Sequence, residues 1–455
     1  MKKIIVVGGG AAGIAAAQGA LDAGADSVWL IDRNKELGGI LRQCIHDGFG
    51  LNKYKASMTG PEYAVRSISE IYDNPRLHIS RSTNVIGVKK HNDEYQIQIQ
   101  NSEGLKWVGA NSIVFATGCR EKTRGMLMIP GTRPAGIFTA GLAQRLVNIE
   151  NVMPGKRVVI LGSGYIGLSI ARRLCLEGAE VAAVIEIMKD SGGLSRNIRQ
   201  CLLDFDIPLY TGHTVSKIIG RERVQAVEIC EVDDNLSVKK ETAQIIDCDT
   251  LILSVGLIPE NEILSAAGAE LCDGTENVKT DSYLQTSLDG VFLCGNSRYV
   301  HDLVDRVSAE GYAAGQNAAL FIKMQNLIEF QDPVTMNAIK GIPQKTDIFC
   351  VLCPNGCRIK VDVNEKGERN ISGNGCPKGV NFVEQESKTP SRIVTTTVKG
   401  ESGRLIPVKS SLPISLDKAA SYVKECQNMI LSKNDLKEDR RIRVAGFPDA
   451  IGCYD

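Results

Sequence analysis

Two glycine-rich loops, each followed by an acidic residue, are the first residues of the chain whose types and spacing predict chemistry. Residues 3–13 read KIIVVGGGAAG and residues 157–167 read RVVILGSGYIG. The acids, Asp32 and Glu186, each lie 24 residues after the first glycine of their motif. In dinucleotide sites such a loop lets the backbone approach a pyrophosphate at a helix N-terminus, and the carboxylate accepts hydrogen bonds from a ribose. Because the motif occurs twice with one spacing, the sequence predicts two dinucleotide sites.

The acid of the second motif predicts which nicotinamide nucleotide binds there. A carboxylate at Glu186 would repel the 2′-phosphate of NADP. Arg172 and Arg173 lie on the helix of the motif and do not obviously offset that repulsion. We therefore expect NAD at this site, with NADP less favoured.

Four cysteines near the C-terminus predict a metal or cluster site. Cys350, Cys353, Cys357 and Cys376 follow the spacing C-x2-C-x3-C-x18-C, and Pro377 comes next. Four thiolates at close spacing can bind tetrahedral zinc or an iron–sulfur cluster. We favour a [4Fe–4S] cluster because three ligands are close together and because Cys-Pro occurs in ferredoxins. The pattern also resembles the iron–sulfur segment of molybdopterin oxidoreductases, and a zinc ion is the alternative.

Short apolar runs must position these loops. Besides the two runs that enter the glycine motifs, others end at Gly118, Gly256 and Gly295, as expected of strands buried in parallel sheets. Alternating polar segments over 84–102 and 224–247 predict antiparallel meanders. Helices are predicted over 307–324 and 416–431, with short β-type runs between them. The fold class predicted is α/β, with two Rossmann-like dinucleotide-binding domains and a small cysteine-rich α+β module.

Composition excludes several classes of protein. The 53 basic and 53 acidic residues of the 455-residue chain cancel, which argues against nucleic acid and anionic membranes as partners. No stretch approaches the roughly 20 apolar residues of a spanning helix. Fourteen cysteines are too few for a disulfide-stapled secreted scaffold, so we expect a reducing compartment, the cytoplasm. The N-terminal MKKIIVV imitates a signal peptide, but the glycines that follow indicate a strand entering a nucleotide loop.

The motifs resemble the two-dinucleotide-binding-domain flavoproteins, the pyridine nucleotide–disulfide oxidoreductase-like group, over about residues 1–325. The runs that carry the resemblance include GGGAAG, LGG, ATG, GSGYIG, SVG and GVFLCGN. The resemblance implies FAD at the first motif and a nicotinamide nucleotide at the second. It is also compatible with a homodimer. FAD contacts carried over are Gly8, Gly10, Ala12, Gly13, Asp32, Arg33, Gly39, Val85, Thr117, Gly118, Gly295 and Asn296. NAD contacts carried over are Gly162, Gly164, Ile166, Gly167, Glu186 and Gly256.

The resemblance also implies domain limits, because in this family the nicotinamide domain interrupts the flavin domain. The expected limits are 1–122 with 275–327 for the FAD domain, 123–274 for the NAD domain, 328–345 for a connector, 346–431 for the cysteine module and 432–455 for a charged tail.

The sequence departs from the family at two places. Asn296 stands where the family usually has Asp, although an amide can still hydrogen-bond the cofactor. No redox-active cysteine pair is present, so a disulfide reductase is not expected, since a dithiol relay needs two thiols. Cys44 and His46 stand in its place. His46 near the flavin would act as a proton donor or as an electrostatic partner. The alternative interpretation is that His46 is a structural histidine beside a buried cysteine. His301, with Asp302 and Asp305, is a second candidate for a group close to the flavin. The alternative interpretation is that these residues are a cluster of charges at the start of a helix.

A closer resemblance concerns the runs QCIHDGFGL, ATGCREKTRG, IPGTRPAGIFTAG and VHDLVD. They resemble a bacterial flavoprotein subfamily associated with FAD-dependent glycerol-3-phosphate dehydrogenase. Residues 345–430 resemble a small cysteine-containing protein of unassigned function that occurs beside it. The implied function is hydride exchange between NAD(H) and FAD, with electrons passing through the iron–sulfur cluster to or from a partner flavoprotein dehydrogenase. Two alternatives stay open: an NADH oxidase or peroxide-reducing flavoenzyme with Cys44 as its thiol and a zinc module, and a slow redox-sensing subunit.

Overall fold

The computed structural model describes residues 2–91, 94–275, 277–332, 347–363, 369–432, 435 and 441–453. Its helices are α1 (Ala11–Asp22), α2 (Gly60–Ser69), α3 (Arg124–Leu127), α4 (Ala140–Asn148), α5 (Tyr165–Leu176), α6 (Ser195–Cys201), α7 (Glu262–Ala266), α8 (Val304–Ile322), α9 (Lys378–Lys388) and α10 (Ala419–Asn428). Its strands are β1 (Lys3–Val7), β2 (Ser27–Ile31), β3 (Asp47–Phe49), β4 (Met58–Thr59), β5 (Leu77–Ser80), β6 (Asn84–His91), β7 (Glu94–Asn101), β8 (Gly104–Ala110), β9 (Ser112–Phe115), β10 (Cys119–Glu121), β11 (Ile137–Thr139), β12 (Arg157–Leu161), β13 (Glu180–Glu186), β14 (Leu209–Thr211), β15 (His213–Gly220), β16 (Val224–Glu231), β17 (Gln244–Asp247), β18 (Thr250–Leu253), β19 (Leu257–Pro259), β20 (Val291–Leu293), β21 (Ile348–Phe349), β22 (Arg358–Val363), β23 (Arg369–Ser372), β24 (Ser391–Arg392), β25 (Thr395–Gly400), β26 (Leu405–Ser410), β27 (Ile414–Ser415), β28 (Ile430–Leu431), β29 (Arg441–Ile442) and β30 (Ala450–Gly452).

The apolar runs form two five-stranded parallel sheets with matching strand orders. The first has the order β20-β9-β1-β2-β5 and the second the order β11-β18-β12-β13-β14. In both, the strand that enters the glycine motif is central and lies beside the strand that leads to the acid. These strands are buried on both faces, which explains why they read as unbroken apolar runs rather than alternating ones. The predicted α/β fold class and the internal repeat are confirmed.

The first compact unit comprises the described residues of 1–120 and 257–335. Besides its parallel sheet it contains the predicted antiparallel meander β6-β7-β8. Residues 257–274, which we expected in the NAD domain, belong to this unit instead. The physical reason is that Leu264 of α7 packs in one apolar cluster with Val85 and Val88 of β6. The other expected domain limits stay a prediction.

Helices α1 and α8 cover one face of the first sheet and pack very closely on each other. A Cβ on Gly315 would lie 1.9 Å from the carbonyl oxygen of Ala16, and one on Gly311 would lie 2.2 Å from that of Ala12. Only glycine permits this approach, so the small residues of α8 fix the position of α1 and of the loop that precedes it.

The second compact unit comprises the described residues of 121–256 and 336–454. It contains the second parallel sheet, the meander β15-β16-β17, the small sheet β21-β22-β23 and a mixed sheet of order β28-β25-β26-β30-β29. Helix α10 packs on this mixed sheet, and Leu176 of α5 and Phe205 join the same apolar cluster. The C-terminal module and the nucleotide-binding part of this unit therefore share a core.

The expected charged tail is not merely a solvated end. Strand β30 pairs with β26 at the register Val408↔Gly452, and Ala450 and Cys453 are fully buried. The short apolar run Ala450–Gly452 explains this, because it completes the mixed sheet. Most of the expected connector, residues 333–345, lies outside the described residues. In the part of the chain that the structure describes, no helix is long and apolar enough to cross a membrane.

Candidate functional site

The first glycine loop joins β1 to α1 in a tight turn. Gly8 has a φ of +105°, and a Cβ there would lie 2.3 Å from the carbonyl oxygen of Ala116. A Cβ on Gly13 would lie 1.7 Å from the carbonyl oxygen of Gly8, so this glycine lets the helix pack on the turn. At Gly10, the N-cap of α1, a Cβ would meet no atom within 4 Å. This open space beside free helix N–H groups fits a pyrophosphate.

Asp32, which directly follows β2, is held by one N–H group of this loop and by one N–H group of its own segment. The N–H of Gly9 donates to its Oδ2 at 2.6 Å, and the N–H of Asn34 donates to its Oδ1 at 2.6 Å. The residue is only 5% exposed. Since each carboxylate oxygen has a second lone pair, the group can still accept hydrogen bonds from ribose hydroxyls.

Other predicted FAD contacts converge on this loop. A Cβ on Gly39 would lie 3.1 Å from Cα of Gly10, and one on Gly295 would lie 2.7 Å from Cβ of Ala12. Residues 38–39 thus lie against the turn and Gly295 lies against the first turn of α1, although they come from distant parts of the sequence.

Three further predicted contacts have their side chains engaged elsewhere. The Arg33 guanidinium pairs with Glu260 at 3.0 Å, and the Thr117 hydroxyl donates to the carbonyl oxygen of Glu260 at 2.8 Å. The side chain of Val85 is buried in the core between the parallel sheet and the meander. Thr117 and Val85 would therefore meet a cofactor through their backbones. Gly118 leaves open space around it, as at Gly10.

A buried carboxylate orders the segment that would close over the flavin. Glu310 of α8 is fully buried; its Oε1 accepts from the N–H of Gly295 at 2.9 Å, and its Oε2 lies 2.8 Å from Nε2 of His301. Arg298 approaches the same oxygen at 3.4 Å. Oδ1 of Asn296 accepts from the N–H of His301 at 3.0 Å, which leaves the amide N–H groups of Asn296 as its donors.

The second glycine loop repeats the first with one addition. Glu186, at the end of β13, accepts from the N–H of Ser163 at 2.9 Å, from the Ser163 hydroxyl at 2.6 Å and from the N–H of Met188 at 3.0 Å. Gly164 is the N-cap of α5 and has open space beside it, as Gly10 has. Of the other predicted NAD contacts, Gly162 and Gly167 pack the turn as their counterparts do, Ile166 packs on the core of this unit, and the carbonyl oxygen of Gly256 accepts from the N–H of Lys122 at 3.1 Å.

Cys44 and His46 follow a short helical turn, Gly39–Gln43, in the first unit. Burial raises the pKa of the Cys44 thiol to about 12, so the thiol is protonated at neutral pH and is a poor nucleophile. The ring of His46 packs edge-on against Phe49 with 4.9 Å between the ring centroids. His301 lies instead against Glu310, in the segment that follows Gly295. The catalytic roles of Cys44 and His46 stay a prediction.

The four cysteines of the C-terminal module come from two neighbouring segments, the loop between β21 and β22 and the turn before α9. Strands β21 and β22 pair through Phe349↔Arg358, and the N–H of Cys350 donates to the carbonyl oxygen of Cys357 at 2.9 Å. A Cβ on Gly375, next to Cys376, would lie 3.1 Å from Sγ of Cys357. Burial, and then the nearby thiols Cys353, Cys357 and Cys376, raise the pKa of Cys350.

Among the described residues, no group of three or more His, Cys, Asp or Glu side chains is arranged to hold a metal ion. The fold therefore brings the four thiols into one neighbourhood without drawing them to ligand distances. Four soft thiol ligands from two segments fit a zinc ion or an iron–sulfur centre. Bonds to the metal would draw the sulfur atoms the remaining distance together.

Sequence reasoning missed three residues that organise these sites: Ser163, Glu260 and Glu310. Ser163 occupies the variable position between two motif glycines, and Glu260 acts from a distant segment. Of the three, Glu310 is the one that the sequence could have revealed. It is an acid in an Ala- and Gly-rich helix that must be buried, and a buried charge predicts a buried partner.

Comparisons with known proteins extend these findings. A family model described as pyridine nucleotide-disulphide oxidoreductase matches residues 2–318, and one described as a protein of unknown function (DUF1667) matches residues 377–434. An opine oxidase subunit of Rhizobium meliloti is 24% identical over 320 residues, which are 64% of this chain and 58% of that protein. NAD(P)H coenzyme A polysulfide/persulfide reductase of Pyrococcus horikoshii is 24% identical over 337 residues, 70% of each chain. Thioredoxin reductase of T. acidophilum has the same fold, with a TM-score of 0.58 at 22% identity over 71% of this chain and 99% of that one.

Proposed function

The chain belongs to the pyridine nucleotide-disulphide oxidoreductase family, and from that premise we propose that it exchanges hydride between NAD(H) and FAD and passes electrons through an iron–sulfur centre to or from a partner dehydrogenase. The observation that carries the proposal is that the second unit contains both a dinucleotide loop with its acid and the four gathered cysteines. FAD accepts a hydride and releases single electrons, and an iron–sulfur centre carries one electron at a time.

The residues of the chain bind and orient the nucleotides. The N-termini of α1 and α5 favour the negative charge of each pyrophosphate, and the open space at Gly10 and Gly164 admits it. Asp32 and Glu186, held rigid by loop N–H groups, accept from the riboses. Asn296 donates to the flavin cofactor through the amide that His301 leaves available.

NAD is proposed as the nucleotide of the second site because the Glu186 carboxylate is fixed by Ser163 and cannot turn away from a 2′-phosphate. We expect kcat/KM for NADH to exceed that for NADPH at least tenfold. A preference for NADPH would remove this part of the proposal.

An anaerobic visible spectrum with iron, sulfide and zinc analysis tests the centre held by Cys350, Cys353, Cys357 and Cys376. The expected result is flavin bands on a broader absorbance, both bleached by NADH, together with about four irons per chain. The variant Cys350→Ser/Cys376→Ser should lose the iron and the broad absorbance but keep flavin reduction by NADH. The exposed Cys272→Ser is the matched control and should change nothing. One zinc per chain without iron would demote the C-terminal module to a structural role.

The partner is proposed to be a flavoprotein that oxidises glycerol 3-phosphate. The support is the likeness of the runs around Cys44, Cys119 and His301 to flavoproteins associated with that dehydrogenase. Mixing the purified chain with an FAD-dependent glycerol-3-phosphate dehydrogenase, glycerol 3-phosphate and NAD should produce NADH only when both proteins are present. Equal rates with Cys350→Ser/Cys376→Ser would contradict the route through the cysteines.

A second candidate is an NADH-dependent reductase of peroxide or persulfide that uses Cys44. One relative, the Pyrococcus horikoshii protein, is named for persulfide reduction. Against this candidate stands the raised pKa of the Cys44 thiol. It predicts fast NADH consumption with oxygen, peroxide or persulfide alone, abolished by Cys44→Ser, whereas the first proposal predicts that Cys44→Ser retains electron transfer.

A further inference from the structure

Residues 191–193 are hydrogen-bonded to the second glycine loop and pack on the helix that follows it. Ser163, which has no exposed surface, accepts through its carbonyl oxygen from the Ser191 hydroxyl at 3.3 Å and through its own hydroxyl oxygen from the N–H of Gly192 at 3.1 Å. A Cβ on Gly193 would lie 2.3 Å from Cδ1 of Leu168 in α5. The segment therefore lies directly against the loop that we assign to the NAD pyrophosphate.

The same segment runs into α6, which the cysteine loop contacts. A Cβ on Gly356 would lie 3.1 Å from the backbone nitrogen of Arg196. Gly356 lies between Cys353 and Cys357, has a φ of +54° and donates its N–H to the carbonyl oxygen of Cys353 at 3.3 Å. The turn therefore packs closely on the first turn of α6, with no room for a side chain larger than that of glycine without adjustment.

The segment that follows the fourth cysteine also holds α6. Arg199 of α6 approaches Glu386 of α9 at 3.4 Å, and α9 begins two residues after Cys376. Arg392, only 2% exposed at its side chain, bridges Glu386 at 2.6 Å and Asp204 at 2.8 Å. Helix α6 is thus held between the nucleotide loop and both cysteine-bearing segments.

We propose that occupation of the four-cysteine site and binding of NAD(H) are coupled through residues 191–201, an inference that rests on the function proposed above. Ligation by Cys353 and Cys357 fixes the turn that contains Gly356. The fixed turn holds the start of α6, and with it the segment that Ser163 anchors, so the nucleotide loop loses less freedom when NAD binds. The coupling is reciprocal: bound NAD raises the affinity of the four cysteines for their metal by the same factor.

The test is the dissociation constant of NAD⁺, measured by anaerobic calorimetry on the full-length, FAD-loaded protein. NAD⁺ is used because it does not reduce the flavin. Three variants are compared: Cys350→Ser/Cys376→Ser, which empties the site; Gly356→Ala, which disturbs the contact with Arg196; and Gly403→Ala, the control. Gly403 lies in a turn of the same module with a φ of +81°, and a Cβ there meets nothing within 4 Å. Metal content and the flavin spectrum are recorded for each protein.

We expect the cysteine variant and Gly356→Ala to bind NAD⁺ at least about fivefold more weakly than the unaltered protein, the lower end of typical coupling between sites. Gly403→Ala should bind as the unaltered protein does. Equal dissociation constants in a metal-loaded parent and the emptied variant would overturn the inference and leave the proposed function standing. An unaltered protein without metal would overturn both, and the metal analysis distinguishes the two results.

Discussion

At the scale of single residues, Glu310 organises the segment above the predicted flavin site. A carboxylate without exposed surface must be compensated, and here the N–H of Gly295, the His301 ring and Arg298 surround it. Because His301 in turn donates its N–H to Asn296, one buried charge sets the orientation of the amide that replaces the family's usual aspartate.

Replacing Glu310 by Gln should weaken FAD binding. The amide keeps the size of the side chain but loses the charge opposite Arg298 and presents N–H groups where acceptors are needed. Hydrogen bonds to charged groups contribute about 1.5–3 kcal/mol, so the FAD dissociation constant should rise roughly 10- to 100-fold. Fluorescence titration of the apoprotein measures this. The exposed Glu262→Gln, which alters an ion pair with Arg120 on the same unit, is the control and should have no effect.

At the scale of elements, the contact of α1 with α8 decides where the first glycine loop lies. The two helices approach until backbone meets backbone, as the position of Gly315 against the carbonyl oxygen of Ala16 shows. A site on the loop before α1 therefore depends on residues of α8, such as Gly311 and Gly315, that pack on the backbone of α1.

Gly315→Ala should reduce the free energy of unfolding by about 1–3 kcal/mol, because the added methyl group forces the helices apart. FAD retention should fall with it, since α1 carries the loop. Urea unfolding of the holoprotein measures the first effect and filtration the second. Gly125→Ala in α3, where a Cβ finds its nearest neighbour only at 3.8 Å, should leave stability unchanged or raise it by up to about 1 kcal/mol. Equal stability of the two variants would contradict the packing argument.

The sequence predicts local elements better than distant contacts. Runs such as residues 3–7 and 157–161 are recognisable because a strand buried on both faces must be apolar throughout. Asp32 and Glu186 follow from the regular spacing of a strand–helix–strand unit. The placement of α7 and β30 cannot be predicted in this way, because it depends on contacts of Leu264 and Ala450 with residues that only the folded chain brings near. The cysteine spacing predicts a shared neighbourhood, but not the contact of Gly356 with α6.

At the scale of the whole molecule, the second unit is assembled from two stretches of chain, 121–256 and 336–454, separated by residues of the first unit. Its two stretches share an apolar cluster and a buried group of charges. The C-terminal module is in this sense a part of the nucleotide-binding unit rather than an appendage.

Arg392→Met should loosen the module from the rest of its unit. Removing Arg392 from this buried group of charges leaves Asp204 and Glu386 with Arg199 beside them, at 3.3 and 3.4 Å, which costs up to about 3–5 kcal/mol. Limited proteolysis should then release the C-terminal module while FAD stays bound. Arg145→Met, which breaks an exposed pair with Glu150, should cost less than about 1 kcal/mol and leave the digestion pattern unchanged. The same digestion of both variants would show that the buried charges do not anchor the module.

Stability should fall at alkaline pH. Burial raises the pKa of Cys44 to about 12 and, as the largest cause, those of Cys175, Cys248 and Cys426 to about 11. In the unfolded chain these thiols ionise with a pKa of about 8.5. Above that pH the unfolded chain binds fewer protons than the folded one, so the free energy of unfolding falls as pH rises through about 9–11.

Urea midpoints at pH 8 and pH 10 measure this loss of stability. Cys248→Ala/Cys426→Ala should reduce the difference between the two midpoints, and the exposed Cys272→Ala should not. A midpoint that is independent of pH would contradict the predicted loss of stability. A loss that Cys248→Ala/Cys426→Ala leaves unchanged would show that these two thiols are not its cause.

The split composition of the second unit also has a consequence for synthesis. Asp204 leaves the ribosome 188 residues before Arg392, which donates two hydrogen bonds to its carboxylate. At about 5–20 residues per second, that interval lasts roughly 10–40 s. During this time the partly made nucleotide-binding half lacks the contact of Arg392 with Asp204 and exposes the apolar side chains of Leu176 and Phe205 to water. The nascent chain must therefore pass through a period of exposure to aggregation that ends only when the C-terminal module has been made.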